Sequence, residues 1–149
     1  MRARTLTAAV ATACVGVAAI APAAGLATPP DPVVIDLDLH FTSPTTTAGT
    51  FASTGAVDAA GTASQTLRFS DSTVHGVQTM TSPEGTITIR FQSINTATGP
   101  ATFDTAGRWV IVGGTGAYAD LHGTGSGSGE VDLAAGTLVL TYTGSAHID

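Results

Sequence analysis

The sequence predicts an all-β protein that folds as an eight-stranded antiparallel up-and-down β-barrel. After residue 27, β-branched residues dominate and good helix formers are scarce. Apolar and polar residues alternate with a period of two in one segment after another, and short turn sequences separate these segments. Closing eight strands into a barrel leaves no sheet edge unpaired. An open two-sheet sandwich fits the same pattern and stays open as an alternative.

The first half of the barrel follows a proline-rich lead-in. In the first strand, Ile35, Leu37 and Leu39 alternate with Asp36 and Asp38, which predicts one buried and one solvent-facing side. A Thr/Pro loop and two short turns separate the next three segments. The predicted strands are residues 33–41, 50–57, 63–70 and 74–81, with the loop at 43–49 and the turns at 58–61 and 71–72.

The second half begins after the turn sequence Ser-Pro-Glu-Gly, which has Pro and Gly in favoured positions. In the strand that follows it, Ile87, Ile89 and Phe91 alternate with Thr88 and Arg90. A looser connection containing Gly-Pro leads to the sixth strand, and Leu-Ala-Ala-Gly closes the last hairpin. The predicted strands are residues 86–94, 107–112, 122–132 and 137–147, with the looser connection at 95–105.

A glycine-rich corner joins the sixth and seventh strands. The apolar run that begins at Trp109 stops at two glycines, and a turn of small residues carrying Tyr118 follows. Glycine permits positive φ and close backbone approach, so we predict a structural glycine corner whose alanine variants lose stability, with Gly127→Ala mattering less. We expect Trp109 and Tyr118 to plug the end of the barrel. The predicted corner residues are Gly113, Gly114, Gly116 and Gly123.

Residues 1–27 have the pattern of a secretory signal peptide, and residues 28–149 form the single predicted barrel domain. A basic start with Arg2 and Arg4 precedes an apolar Ala/Val/Ile stretch and then small residues that suit cleavage. The apolar stretch is short for a membrane span, although an uncut anchor is the alternative. The sequence therefore predicts a secreted, extracellular protein with no membrane association after cleavage.

Charge and composition exclude several classes of partner. After residue 27 the chain has three arginines against eleven acidic residues, a formal net charge of −8, and neither lysine nor cysteine. This balance argues against nucleic acid and against an anionic membrane surface. Without cysteine, packing alone must hold an exported fold together. Two of the cations, Arg68 and Arg90, are expected to point outwards, either into ion pairs with acids or into an anion site at the mouth of the barrel.

Motifs for chemistry are few. Residues 114–119 read GTGAYA, which matches G-x-G-x-x-A, but the glycine-rich sequence after it cannot form the helix that a dinucleotide site needs. The four histidines, His40, His75, His122 and His147, form no pair at metal-ligand spacing, and no serine sits in a nucleophile elbow. The sequence therefore predicts no metal and no cofactor.

One segment resembles a known superfamily. Residues 109–126 read WVIVGGTGAYADLHGTGS and are similar to the signature of the allene oxide cyclase barrel-like superfamily, which includes plant allene oxide cyclases, dirigent proteins and small exported bacterial proteins. The hairpin DLAAGTL from Asp132 is of the same type. The resemblance implies a calycin-like eight-stranded barrel with an apolar cavity, and oligomers, because plant members are often trimers. It places no catalytic residue on this chain.

Two functional hypotheses follow, from different classes. The first is a secreted barrel that binds a small apolar ligand or a partner without chemistry of its own. The second is a cofactor-free cyclase or isomerase, or a dirigent-like protein, that shapes a reactive apolar substrate in the cavity. An inward-pointing carboxylate, Arg or Tyr would favour the second. The sixth strand is apolar on both faces, so we also hypothesise a homo-oligomer that packs through the outward side of Val110.

Overall fold

A computed structural model describes residues 29–149, and the predicted signal peptide lies outside the described residues. The chain forms a closed eight-stranded barrel in which every strand pairs antiparallel with its neighbours in sequence, and the first pairs with the last. This confirms the predicted fold class and excludes the open sandwich. The strands are β1 Asp31–Ser43, β2 Thr46–Gly55, β3 Ala59–Ser70, β4 Thr73–Ser82, β5 Gly85–Ala97, β6 Thr102–Gly114, β7 Leu121–Asp132 and β8 Thr137–Ile148.

The alternation of side chains sets which residues fill the barrel. In β1, Val33, Ile35, Leu37 and Leu39 are all at most 2% exposed, while the residues between them face solvent. Successive strand residues point to opposite faces, so a period-two pattern gives one interior row per strand. No helix among the described residues is long and apolar enough to span a membrane.

Two predicted loops are shorter in the structure, because their backbones pair as strands. The loop predicted at 43–49 shrinks to two residues, since β2 begins at Thr46. The connection predicted at 95–105 is too long, because Asn95 pairs with Thr105 and Ala97 with Phe103, which leaves only residues 98–101 between β5 and β6. Ser, Thr and Asn read as loop residues in sequence, but they also suit the solvent-facing side and the rim of a strand. The turn predicted at 58–61 lies earlier, at residues 56–58.

The glycine-rich corner closes one end of the barrel. A short 3₁₀ turn, Gly116–Tyr118, follows β6 and lies against the β4–β5 turn, where Ala117 N–H donates to the Glu84 carbonyl at 2.9 Å. The Tyr118 side chain is buried and its hydroxyl lies 3.3 Å from Ser82 Oγ. Tyr118 therefore plugs this end of the barrel.

The four predicted corner glycines have different roles. Gly116 has a φ of +63°, which disfavours any side chain, and a Cβ on Gly114 would meet the Tyr118 carbonyl. Gly113 has no positive φ and nothing within 4 Å of an added Cβ, so the expectation that it needs to be glycine is wrong. Gly123 lies inside β7, where an added Cβ would be 2.9 Å from Ile111 Cδ1 and from Ala146 Cβ, so it belongs to a strand and not to the corner.

Candidate ligand cavity

A cavity of about 810 Å³ opens at the end of the barrel opposite the corner. It is bordered by the β1–β2, β3–β4 and β7–β8 turns, with Phe69 and Leu133 about half exposed at the rim. This volume is within the usual range for small-molecule sites, about 300–1,000 Å³. The apolar lining residues are Phe41, Leu67, Phe69, Val74, Phe91, Phe103, Trp109, Val131, Leu133, Leu138, Leu140 and Tyr142.

Three aromatic side chains form one wall of the cavity. The Trp109 and Tyr142 rings are stacked with centroids 6.0 Å apart, and the Phe91 ring is tilted against Tyr142 at 6.5 Å. Trp109 Nε1 donates to the Ser126 carbonyl at 3.0 Å, which satisfies the indole in a position that is only 2% exposed. The expectation that Trp109 plugs the barrel end is wrong, because it lies in the cavity wall.

Each of these aromatic rings lies opposite a glycine on the neighbouring strand. The register pairs Phe91 with Gly76, Trp109 with Gly125, and Tyr142 with Gly127. A Cβ on Gly125 would come within 2.7 Å of Trp109 Cζ2, and a Cβ on Gly76 or Gly127 would meet the facing ring itself. The missing side chains therefore let the rings lie flat against the strand, as in other aromatic–glycine cross-strand pairs.

The inward glycines of β7 are a structural feature of the cavity that the sequence analysis missed. Glycine occupies every second position, and these residues face the interior between Leu121 and Val131. An interior row without side chains leaves room for the aromatic wall and for the cavity in front of it. Glycine at every second position is the sequence signal that could have revealed this row, because a period of two indicates one face of a strand and not a flexible loop. The row is Gly123, Gly125, Gly127 and Gly129.

A row of three neutral polar side chains crosses the interior, and one of them, Gln65, lines the cavity. Thr47, Gln65 and Gln78 lie directly opposite one another on β2, β3 and β4. Thr47 Oγ1 donates to Gln65 Oε1 at 3.1 Å, and Gln65 Nε2 donates to Gln78 Oε1 at 2.8 Å. Gln78 Nε2 is fully buried and has no acceptor among the described residues. The Gln78 amide is thus a buried hydrogen-bond donor without an acceptor among the described residues.

Tyr142 lines the cavity and carries a phenol group. Burial raises the pKa of Tyr142 well above its ordinary value, because the phenolate would lose its hydration. The phenol is therefore protonated at neutral pH and can donate a hydrogen bond, but it cannot act as a base there. The inward polar groups are neutral amides and hydroxyls, which suit a neutral ligand better than a charged one. The buried polar residues are Thr47, Ser53, Gln65, Gln78 and Thr105.

The acidic candidates of the first strand lie outside the barrel, as predicted. Asp36 and Asp38 are both exposed, and Asp36 Oδ1 accepts a hydrogen bond from Thr141 Oγ1 at 2.7 Å. Arg68 and Arg90 also point outwards. These residues therefore take no part in the cavity.

Two histidines that are distant in sequence come together on the outside. His122 and His147 are directly opposite on β7 and β8, with ring centroids 5.7 Å apart, and each Nε2 lies 3.3 Å from the Asp149 carboxylate. Sequence spacing cannot reveal a pair that forms across strands. Within residues 29–149 no three His, Cys, Asp or Glu side chains are arranged to hold a metal ion.

Comparison with family models, with curated proteins and with solved structures gave no match to this chain. The similarity to the allene oxide cyclase barrel-like superfamily therefore rests on the segment that begins at Trp109 and stays a prediction.

Proposed function

We propose that this protein is secreted and binds one small, neutral, largely apolar molecule in the barrel cavity. The observation that carries this proposal is the cavity itself, about 810 Å³ in volume and walled by Phe91, Trp109 and Tyr142. Burying apolar ligand surface against such a wall is favourable by roughly 25 cal/mol per Å².

The polar groups of the cavity suggest how such a ligand is oriented. The Gln65 amide and the Thr105 hydroxyl line the cavity, and the Tyr142 phenol is a protonated donor in its wall. A ligand with one or two carbonyl, ether or hydroxyl oxygens can pair with these groups while its hydrocarbon part contacts the aromatic wall. The charged residues that line the cavity, Asp71 and Arg108, are exposed, and no cation is among the buried side chains of the described residues.

Trp109 provides a direct test, because it is the single tryptophan of the chain and lies in the cavity wall. The probe is N-phenyl-1-naphthylamine, which is neutral and apolar and accepts energy from tryptophan. We expect saturable quenching of Trp109 emission with one probe per chain and a Kd of roughly 1–10 μM, which is about −7 to −8 kcal/mol.

Two phenylalanine variants of β6 separate the cavity from the outer surface. Thr105→Phe adds a ring inside the cavity, and Val112→Phe adds the same ring on the outward side of the same strand. We expect Thr105→Phe to weaken probe binding about tenfold or more, a loss of about 1.4 kcal/mol, and Val112→Phe to leave binding unchanged. The proposal would be refuted if quenching in the wild type does not saturate, or if the two variants lose the same amount of probe affinity.

A second candidate function is isomerisation or cyclisation of a reactive apolar substrate confined in the cavity. Tyr142 favours it, because it is an inward-pointing phenol that stays protonated where charge could develop on a substrate oxygen. Tyr142→Phe removes this donor with little change in shape. If the protein isomerises its substrate, the molecule that copurifies with Tyr142→Phe has the same mass as the wild-type molecule but a different chromatographic retention. If the same molecule copurifies with both proteins, the result supports binding without catalysis.

A further inference from the structure

The three arginines of the described residues lie together on one outer face of the barrel. Arg68 is on β3, Arg90 on β5 and Arg108 on β6, and all three side chains are exposed. They are also the only lysine or arginine residues after residue 27, in a part of the chain that carries eleven acidic residues. All three arginines after residue 27 therefore lie on strands between β3 and β6.

The strand register defines the spacing of these groups. Arg68 pairs with His75, His75 with Gln92, and Gln92 with Arg108, so these four form one row across β3 to β6. With strands about 4.8 Å apart, the Cα atoms of Arg68 and Arg108 are about 14 Å apart along the sheet. Arg90 occupies the next row, about 7–8 Å diagonally from both His75 and Arg108. We name these five residues the arginine face.

No acidic side chain neutralises the arginine face. Within residues 29–149, the ion pairs join His122 and His147 to Asp149, and no carboxylate lies within pairing distance of the arginines. The preceding 28 residues contain no acidic residue that could serve. Like charges on adjacent strands repel one another, and this lowers stability unless a counter-charge binds.

The arginine face surrounds a shallow depression of about 550 Å³. Val77 and Val110 lie on either side of Arg90 in its row, and each is 43% exposed. Thr66 and Thr124 extend this row on β3 and β7 and add hydroxyl groups to the lining. The site thus combines cations, an amide and hydroxyls in a concave surface of small-molecule size.

We propose that the arginine face binds a small multivalent anion, a molecule with two or more carboxylate, phosphate or sulfate groups. The planar guanidinium group binds such groups through two parallel hydrogen bonds, and spacings of about 8–14 Å require more than one anionic group on the ligand. The net charge of −8 repels an extended polyanion, whereas a small anion responds to the local field within a Debye length of about 8–10 Å. The arginine side chains are on the outer surface, and Gln92 and Arg108 also border the cavity.

A second copy of the chain fits this face less well. A symmetric dimer brings the same surface patch of both subunits together, so it would place three arginines against three arginines. The homo-oligomer predicted through Val110 is therefore the competing occupant, and the experiment must distinguish it from an anion.

The test is calorimetric titration of the protein at low salt with pyrophosphate and citrate, which carry two or more anionic groups, and with sulfate as the single-group control. Arg90→Gln removes the central guanidinium and keeps a polar side chain. Thr54→Asp is the matched control, because it makes the same change of net charge at an exposed position on β2. We expect one-site binding of pyrophosphate or citrate that is tighter than the binding of sulfate, about tenfold or greater weakening by Arg90→Gln, and little change by Thr54→Asp. The arm that binds most tightly identifies the anionic group.

Three results would overturn the proposal. The first is that neither pyrophosphate nor citrate binds at millimolar concentration, or that sulfate binds as tightly as they do. The second is that Thr54→Asp weakens binding as much as Arg90→Gln does, because binding would then follow net charge and not the site. The third is that light scattering shows the wild-type protein to be an oligomer and the Arg90→Gln variant to be a monomer. A second copy of the chain would then occupy the arginine face.

Discussion

Replacing Gly127 with alanine tests whether the inward glycines of β7 hold the aromatic wall in place. A Cβ on Gly127 would lie 2.6 Å from Tyr142 Cε1 and closer still to Cδ1, so the ring must move. Gly113→Ala is the matched control, because its Cβ meets nothing within 4 Å and its φ is not positive. Both substitutions restrict the unfolded chain equally, so their difference reports the contact with Tyr142.

The size of this difference follows from the contact with Tyr142, because the effect on the unfolded chain is common to both variants. Restricting the unfolded chain stabilises either variant by about 0.4–1 kcal/mol. Forcing an extra carbon into a packed interior destabilises Gly127→Ala by about 1–3 kcal/mol. We therefore expect Gly127→Ala to be less stable than Gly113→Ala by about 2 kcal/mol, which for a domain of this size is about 6–10 °C in Tm.

Two measurements check this prediction. Thermal unfolding followed by circular dichroism gives the difference in Tm, and Trp109 emission reports whether the stacked Tyr142 ring has moved. The emission spectrum should change in Gly127→Ala and not in Gly113→Ala. If the two variants melt at the same temperature with unchanged emission, the glycine row does not support the aromatic wall and its place in the cavity must be reconsidered.

Three further predictions concern the corner, the buried phenol and export. Gly116→Ala should lose about 1 kcal/mol or more because φ is +63° there, and a Tm at or above that of Gly113→Ala would contradict this. Because the pKa of Tyr142 is raised in the folded state, its contribution to stability is complete below pH of about 10 and is lost above it. Urea unfolding should therefore show a decline above that pH that is shallower in Tyr142→Phe, and parallel declines would be inconsistent with this assignment. Mass spectrometry of protein from culture medium should show a chain that begins between Ala24 and Thr28, and an intact Met1 would exclude cleavage.

The fold could be predicted because each strand carries its own pattern. The alternation of Leu37 and Leu39 with Asp36 and Asp38 gave the correct inward side of β1, and the same pattern placed Arg68 and Arg90 outside. Strand ends were harder to predict, because residues such as Asn95 and Thr105 pair across strands despite a loop-like composition. Backbone hydrogen bonds, which no side-chain pattern records, extend these strands.

The candidate sites were harder to predict because they arise between strands. The pairs of Trp109 with Gly125 and of His122 with His147 depend on register, which the sequence of either strand alone does not fix. The expectation that Gly127 matters less than the corner followed from treating β7 as loose. Similarly, the gathering of Arg68, Arg90 and Arg108 on one face becomes visible only when β3 to β6 are placed side by side.

The pairing of β1 with β8, which closes the barrel, joins residues far apart in sequence, whereas the hairpins join consecutive strands. Seven of the strand pairs join neighbours in sequence, while the closing pair brings Asp31 beside Ala146 and Asp36 beside Thr141. Because contacts between distant residues form late, closure should limit the folding rate. A circular permutant that joins the end of β8 to the start of β1 and opens the chain between β5 and β6 would turn the closing pair into a hairpin. The long-range step would then move to β5 and β6, within the arginine face, with every native strand pair preserved.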